Sequence, residues 1–94
     1  MKAGVLTLRC RLHCIESLKQ KRSVVKRLLA EIDRCGSAFA ASEVGDQDDL
    51  RKMTIRIAHV SNDPRFTDSA LSGLRERLDR GIDYQVEESE IEIL

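Results

Sequence analysis

The sequence predicts an α+β sandwich, a four-stranded sheet backed by two helices, and three observations predict it. Apolar and polar residues alternate over Leu6–Leu12 and again over Met53–His59, the period of a strand with one face on a core. Two apolar stripes recur at helical spacing, one behind Ser17 and one behind Asp63. A short run at 37–44 and a final alternation of Ile91 and Ile93 with Glu90 and Glu92 complete the order β-α-β-β-α-β.

In the first strand Leu6, Leu8, Cys10 and Leu12 face the core, and Thr7, Arg9 and Arg11 face outward. Ser17 opens the first helix with Gln20 in capping-box position. Leu18, Val25, Leu28, Leu29, Ile32 and Cys35 form its buried stripe, and Gly36 closes it. Ser37–Val44 reads as a short strand that ends at the loop Gly45-Asp46-Gln47-Asp48-Asp49. The third strand buries Met53, Ile55, Ile57 and His59 and exposes Thr54, Arg56 and Ala58. Asn62-Asp63-Pro64 starts the second helix, since an Asx side chain accepts the free amides of a first turn and proline loses nothing there. Phe66, Ala70, Leu71, Leu74 and Leu78 supply its buried face, Gly81 stops it, and Tyr84–Leu94 is the last strand.

Two strand-helix-strand halves of this length predict one ferredoxin-like domain over residues 1–94, with both helices on one face of an antiparallel sheet of strand order 4-1-3-2. The first and third strands are then central. The open face collects Arg9, Arg11 and Arg56, with Glu90 and Glu92 beside the first strand as their solvating partners.

Sixteen basic and sixteen acidic residues give a net charge of zero, which removes global basicity as an argument for nucleic acid. The zero is a cancellation. Residues 1–36 hold nine basic and three acidic residues, a net of +6, and residues 37–94 hold −6. No apolar run approaches the roughly 18 residues of a membrane span, and the start Met1-Lys2-Ala3-Gly4-Val5-Leu6 lacks the long apolar core of a signal peptide, so the expected location is cytoplasmic. Three cysteines do not make a disulfide framework and are expected to stay reduced.

Ser17-Leu18-Lys19-Gln20-Lys21-Arg22, Ser42-Glu43-Val44-Gly45-Asp46-Gln47-Asp48 and Val60-Ser61-Asn62-Asp63 together resemble the signature segments of the YlxP-like family, the bacterial domain of unknown function 503. The resemblance spans nearly the whole chain. It implies a ferredoxin-like fold and a gene in the company of those for translation initiation and ribosome maturation, with no established activity. Where related sequences often carry a Leu-Trp pair after the Gly-Asp-Gln-Asp segment, this chain has Asp49-Leu50, so no role is expected of an aromatic there.

The strongest candidate surface is the first helix. At about 100° per residue, Lys19, Arg22 and Lys26 lie within about 60° of one another, and Arg27 and Arg34 continue round the solvent side. Lys21 falls beside the buried stripe and is expected to snorkel outward. Such a stripe suits phosphates; the alternative is a solvated helix face. Base stacking on the sheet is not expected, because Phe39, Phe66 and Tyr84 all lie off the central strands, so any RNA contact should be to backbone.

Cys10, His13, Cys14 and Cys35 have poor zinc spacing and are read as inert thiols with no metal. His59 shares the core-facing parity of its strand and is read as a satisfied buried histidine. Asp46, Gln47 and Asp48 are candidate loop contacts, although turn chemistry alone accounts for Gly45-Asp46. Ser61-Asn62-Asp63 has a sufficient capping explanation. An acylphosphatase-like enzyme would need a glycine-rich phosphate loop after the first strand, where this chain has Leu12-His13-Cys14-Ile15-Glu16-Ser17.

The reading is therefore a non-catalytic domain without metal or cofactor that associates with RNA or ribosomal particles through Lys19, Arg22, Lys26 and Arg27. The alternative is a homo-oligomeric protein-interaction module, such as a homodimer, whose open sheet face or edge strand Tyr84–Leu94 pairs with another copy or a protein partner.

Overall fold

The alternation that marks the first strand runs further back than Leu6. In the computed structural model, which describes residues 2–94, β1 spans Lys2–Leu12. Gly4 continues the inward parity where β1 passes closest to a helix: a Cβ there would lie 2.7 Å from Thr67 Cγ2 and 2.9 Å from Leu71 Cδ1. The other elements are α1 (Leu18–Arg34), β2 (Phe39–Glu43), β3 (Lys52–Ser61), α2 (Pro64–Leu78) and β4 (Tyr84–Ile93). The sheet order β2-β3-β1-β4, antiparallel throughout, is the expected 4-1-3-2 read from the other edge. No helix among the described residues is long and apolar enough to cross a membrane.

Both helices start at the expected caps. Ser17 sits in extended backbone and accepts from Gln20 N, and Gln20 Oε1 reaches back to Glu16 N, one residue before the cap, at 2.7 Å. Asp63 accepts from Arg65 N at 2.9 Å, with Pro64 behind it. The core between helices and sheet holds Leu6, Leu8, Met53, Ile55, Ile57, Leu71 and Leu78, all fully buried, with Val24, Val25, Leu28 and Ile32 from α1.

Three expectations are corrected. Phe66 is 60% exposed, and Thr67 takes the inward place. The sheet-facing positions of α2 are 67, 71, 74 and 78, a regular helical series, and Phe66 precedes it by one residue, about 100° round the axis. Lys21 does not snorkel; it is 1% exposed. The arginines of β1 meet different glutamates: Arg9 pairs with Glu88 at 3.7 Å and Arg11 with Glu87 at 2.7 Å, while Glu90 lies opposite Thr7 and Glu92 opposite Val5. The cause is a β-bulge, because Arg9 faces Glu88 and Cys10 faces Val86, leaving Glu87 as the extra residue. Tyr84 and Val86 point inward on even positions and Ile91 on an odd one, so one residue must be inserted between them.

The buried end of β4 carries a pH dependence. Tyr84 Oη donates to Leu78 O at 2.6 Å. Burial pushes the Tyr84 phenol up to about 12, and burial, with the Glu87 and Asp79 charges secondary, pushes the Cys10 thiol up to about 12. Both groups stay protonated in the fold at pH values where the unfolded chain has begun to lose those protons. Their contribution is present in full below about pH 9, the ordinary thiol value, and is lost as pH rises towards about 12. Urea midpoints measured from pH 8 to 11 should fall. The fall should be shallower in Cys10→Val/Tyr84→Phe; an identical slope would remove these groups as its source.

Candidate functional site

The end of the molecule where β1 finishes gathers the β1–α1 turn, the start of α1 and the β2–β3 loop. Leu12 N donates to Arg51 O at 2.8 Å and His13 N to Asp83 O at 3.0 Å, so the connecting loops are tied to the strand end. Between Leu18 and Ala30, α1 carries five basic residues and no acidic one. The fold divides those five into three groups.

Lys21 points inward. Its ammonium donates to Asp46 O at 2.6 Å and Gln47 O at 3.3 Å and lies 3.1 Å from Glu43 Oε2, whose side chain is only 15% exposed. Two of the three ammonium protons go to the carbonyls, and Glu43 Oε2 is an ion-pair partner without an aligned hydrogen bond. Gly45 at φ +60° and Asp46 at φ +47° are consecutive left-handed residues, and this reversal turns the two carbonyls towards the helix. Asp46 O also accepts Asp49 N at 3.0 Å, and the Asp49 carboxylate accepts Arg51 N at 2.8 Å. The side-chain turn contact therefore belongs to Asp49 rather than Asp46. Asp46, Gln47 and Asp48 keep exposed side chains on a loop whose backbone is fixed from beneath.

Arg27 forms the second group: its guanidinium lies 3.1 Å from Asp83 Oδ2, so it ties α1 to the loop before β4. Lys19, Arg22 and Lys26 are the third. They are exposed, share one side of the helix opposite Lys21, and have no carboxylate within ion-pair distance among the described residues. The four phosphate-site candidates are thus three unpaired cations and one paired one. The loop candidates sit at the same end, held by a residue that sequence reasoning had pointed at solvent.

The other candidates are dispersed. Cys10 is buried, Cys14 exposed and Cys35 half-buried, and no group of three or more metal-ligating side chains occurs among the described residues.

Sequence reasoning missed a groove at the opposite end. His59, 2% exposed, lies under the rings of Phe39 (centroids 4.8 Å apart) and Phe66 (5.7 Å), each tilted by about 55°. Its Nδ1 is 3.1 Å from Thr67 Oγ1, which is 2.6 Å from Ser61 Oγ; that hydroxyl donates to Asp63 O at 2.7 Å. The histidine is satisfied on this side, as expected, and lines an apolar groove of about 620 Å³ between the end of α1 and α2. The legible signal was the helical phase that puts Thr67 inward and Phe66 at the groove wall.

Compared with protein families, residues 3–91 match the model described as a protein of unknown function, DUF503. No curated protein matches the chain. Among solved structures, the de novo designed protein Foldit4 is similar at TM-score 0.55 and 16% identity, over 98% of this chain and 96% of that one. A mutant of SnoaB, a cofactor-independent oxygenase from Streptomyces nogalater, is similar at TM-score 0.46 and 15% identity, over 99% of this chain and 90% of that one. At such identities the likeness to Foldit4 is one of fold alone.

Proposed function

The chain belongs to the DUF503 family of proteins of unknown function, and from that premise we propose that it is a non-catalytic RNA-associating domain whose α1 binds the phosphate backbone. The observation that carries this reading is the unpaired trio Lys19, Arg22 and Lys26. Arg9, Arg11, Lys21, Arg27, Arg65 and Arg77 are held by carboxylates of the same chain; of the cations that are not, these three lie within about 60° of one another on α1. At about 1.5 Å rise per residue they span about 10 Å along one helix, within reach of neighbouring phosphates on one strand. Arg27 joins them only by giving up Asp83.

Binding of this kind is insensitive to sequence and sensitive to salt, each phosphate contact adding about 0.7 to the slope of log affinity against log salt for a single strand. Replacing Lys19, Arg22 and Lys26 together by glutamate should weaken binding of a fluorescent single-stranded RNA by more than about tenfold at low salt and flatten that slope by about 2. Arg9→Glu/Arg11→Glu on the sheet should leave both readings near wild type. Undiminished binding by the triple variant sinks the proposal.

A second reading rests on the open sheet face. Ala40, Ala58 and Val5 are neighbours across three strands, and Val60, 41% exposed, extends this apolar end beside Ala3. We propose self-association there as the alternative. Light scattering over a wide concentration range decides it, a strict monomer removing it.

A further inference from the structure

We propose that the groove over His59 binds a small planar aromatic molecule bearing a hydroxyl group, whose proton His59 Nε2 accepts. A hydroxyl has one proton to give. Ser61 Oγ gives its proton to Asp63 O, a carbonyl that can only accept, and it accepts Asp63 N at 3.2 Å. The 2.6 Å contact between Ser61 and Thr67 must then use the Thr67 proton. With that proton spent, Thr67 Oγ1 can only accept at the 3.1 Å contact to His59, so in the neutral imidazole the proton sits on Nδ1. His59 Nε2 is left with a lone pair and no donor among the described residues, in a side chain that lines the groove.

The surroundings specify what would satisfy it. Phe39 and Phe66 flank the imidazole, and Phe66 keeps 60% of its surface exposed at the groove wall, an arrangement that favours a flat apolar ring. Ala38, Ala70 and Leu74 continue the apolar lining, and nothing lies within 4 Å of where a Gly73 Cβ would stand, which keeps the entrance open. Arg77 at the rim is bonded to Glu31 at 3.2 Å, so no free cation asks for an anionic ligand. About 620 Å³ accommodates one or two rings. The proposal is independent of the basic stripe, and it gives Ser61 and Asp63 a role beyond capping: their bonds set the histidine tautomer.

The test uses 2-naphthol as probe with ¹⁵N-labelled protein. Long-range ¹H–¹⁵N spectra should show His59 protonated at Nδ1 in the free protein. Titration should shift the amides of Gly36, Phe39, Ala70 and Gly73. 2-Methoxynaphthalene, which has the rings without the donor, should bind about tenfold more weakly, the effect of one ordinary hydrogen bond. Gly73→Leu, on an exposed helical site where leucine favours the helix, should abolish the shifts while leaving the fold and RNA binding intact. Protonation at Nε2, equal affinity for the two naphthalenes, shifts unaffected by Gly73→Leu, or no binding of 2-naphthol would each overturn it.

Discussion

Lys21→Met is expected to destabilise the protein by about 3–5 kcal/mol, the range for removing one member of a buried ion pair. Methionine keeps the length and apolar stem of the side chain, so the loss isolates the ammonium. Without it Glu43 keeps a largely buried carboxylate with no cation, and the Gln47 carbonyl loses the donor that holds it against α1. For a chain of this size the change amounts to a fall in melting temperature of more than about 10 °C. Lys21→Met/Glu43→Leu should recover most of the loss, since an apolar pair leaves no buried charge unpaired. Urea unfolding of the two variants measures both numbers. A cost below about 1 kcal/mol for Lys21→Met would show that water reaches the pair and that the ammonium does not anchor the loop. Amide exchange supplies a local readout: residues 45–49 should lose protection in the single variant before the strands do.

Gly4→Val carries the second large effect. The Cβ alone would meet Thr67 Cγ2 at 2.7 Å, Leu71 Cδ1 at 2.9 Å and Ile93 Cδ1 at 3.0 Å, and valine adds two methyl groups beyond it. Leu71 and Ile93 can turn their side-chain ends aside, but Thr67, branched at Cβ, gives way only with the backbone of α2, at about 1–3 kcal/mol for overpacking a closed core. Because Thr67 is the first residue pushed, its contact with His59 should loosen with it. The expected result is a lower urea midpoint together with a changed His59 ring signal by NMR. A variant as stable as wild type would mean that the strand end shifts freely instead.

The strands and helix starts were legible because they depend on neighbours in sequence. Leu6, Leu8 and Cys10 declare a strand by alternation, and Ser17 with Gln20 and Asp63 with Pro64 declare helix starts by local chemistry. The exposed trio on α1 was legible for the same reason, since helical period alone places Lys19, Arg22 and Lys26 together. What escaped depends on partners brought by topology. Lys21 sits 25 residues from Asp46, and only the packing of α1 over β2 reveals that a cation there has a buried acid and two carbonyls waiting. Arg27 looked as free as Lys26 until the loop before β4 placed Asp83 beside it. The Glu87 bulge was visible in principle, because the apolar parity of the last strand switches between Val86 and Ile91. The Phe66 misplacement was an error of one residue in helical phase, and it hid the groove.

The bulged, glutamate-rich β4 has a consequence for colloidal behaviour. Sheet edges are templates on which other chains can add, and proteins guard them with charge and with breaks in the ladder. A second copy pairing along β4 would bring Glu87, Glu88, Glu90 and Glu92 against the same four, the first two shared with Arg11 and Arg9, and would have to match a ladder that slips by one residue. The opposite edge, β2, is five residues long and carries one acidic side chain, Glu43, which Lys21 already engages. Any growth of the sheet into a fibre would therefore begin at β2, and the four glutamates act as a one-sided guard against aggregation.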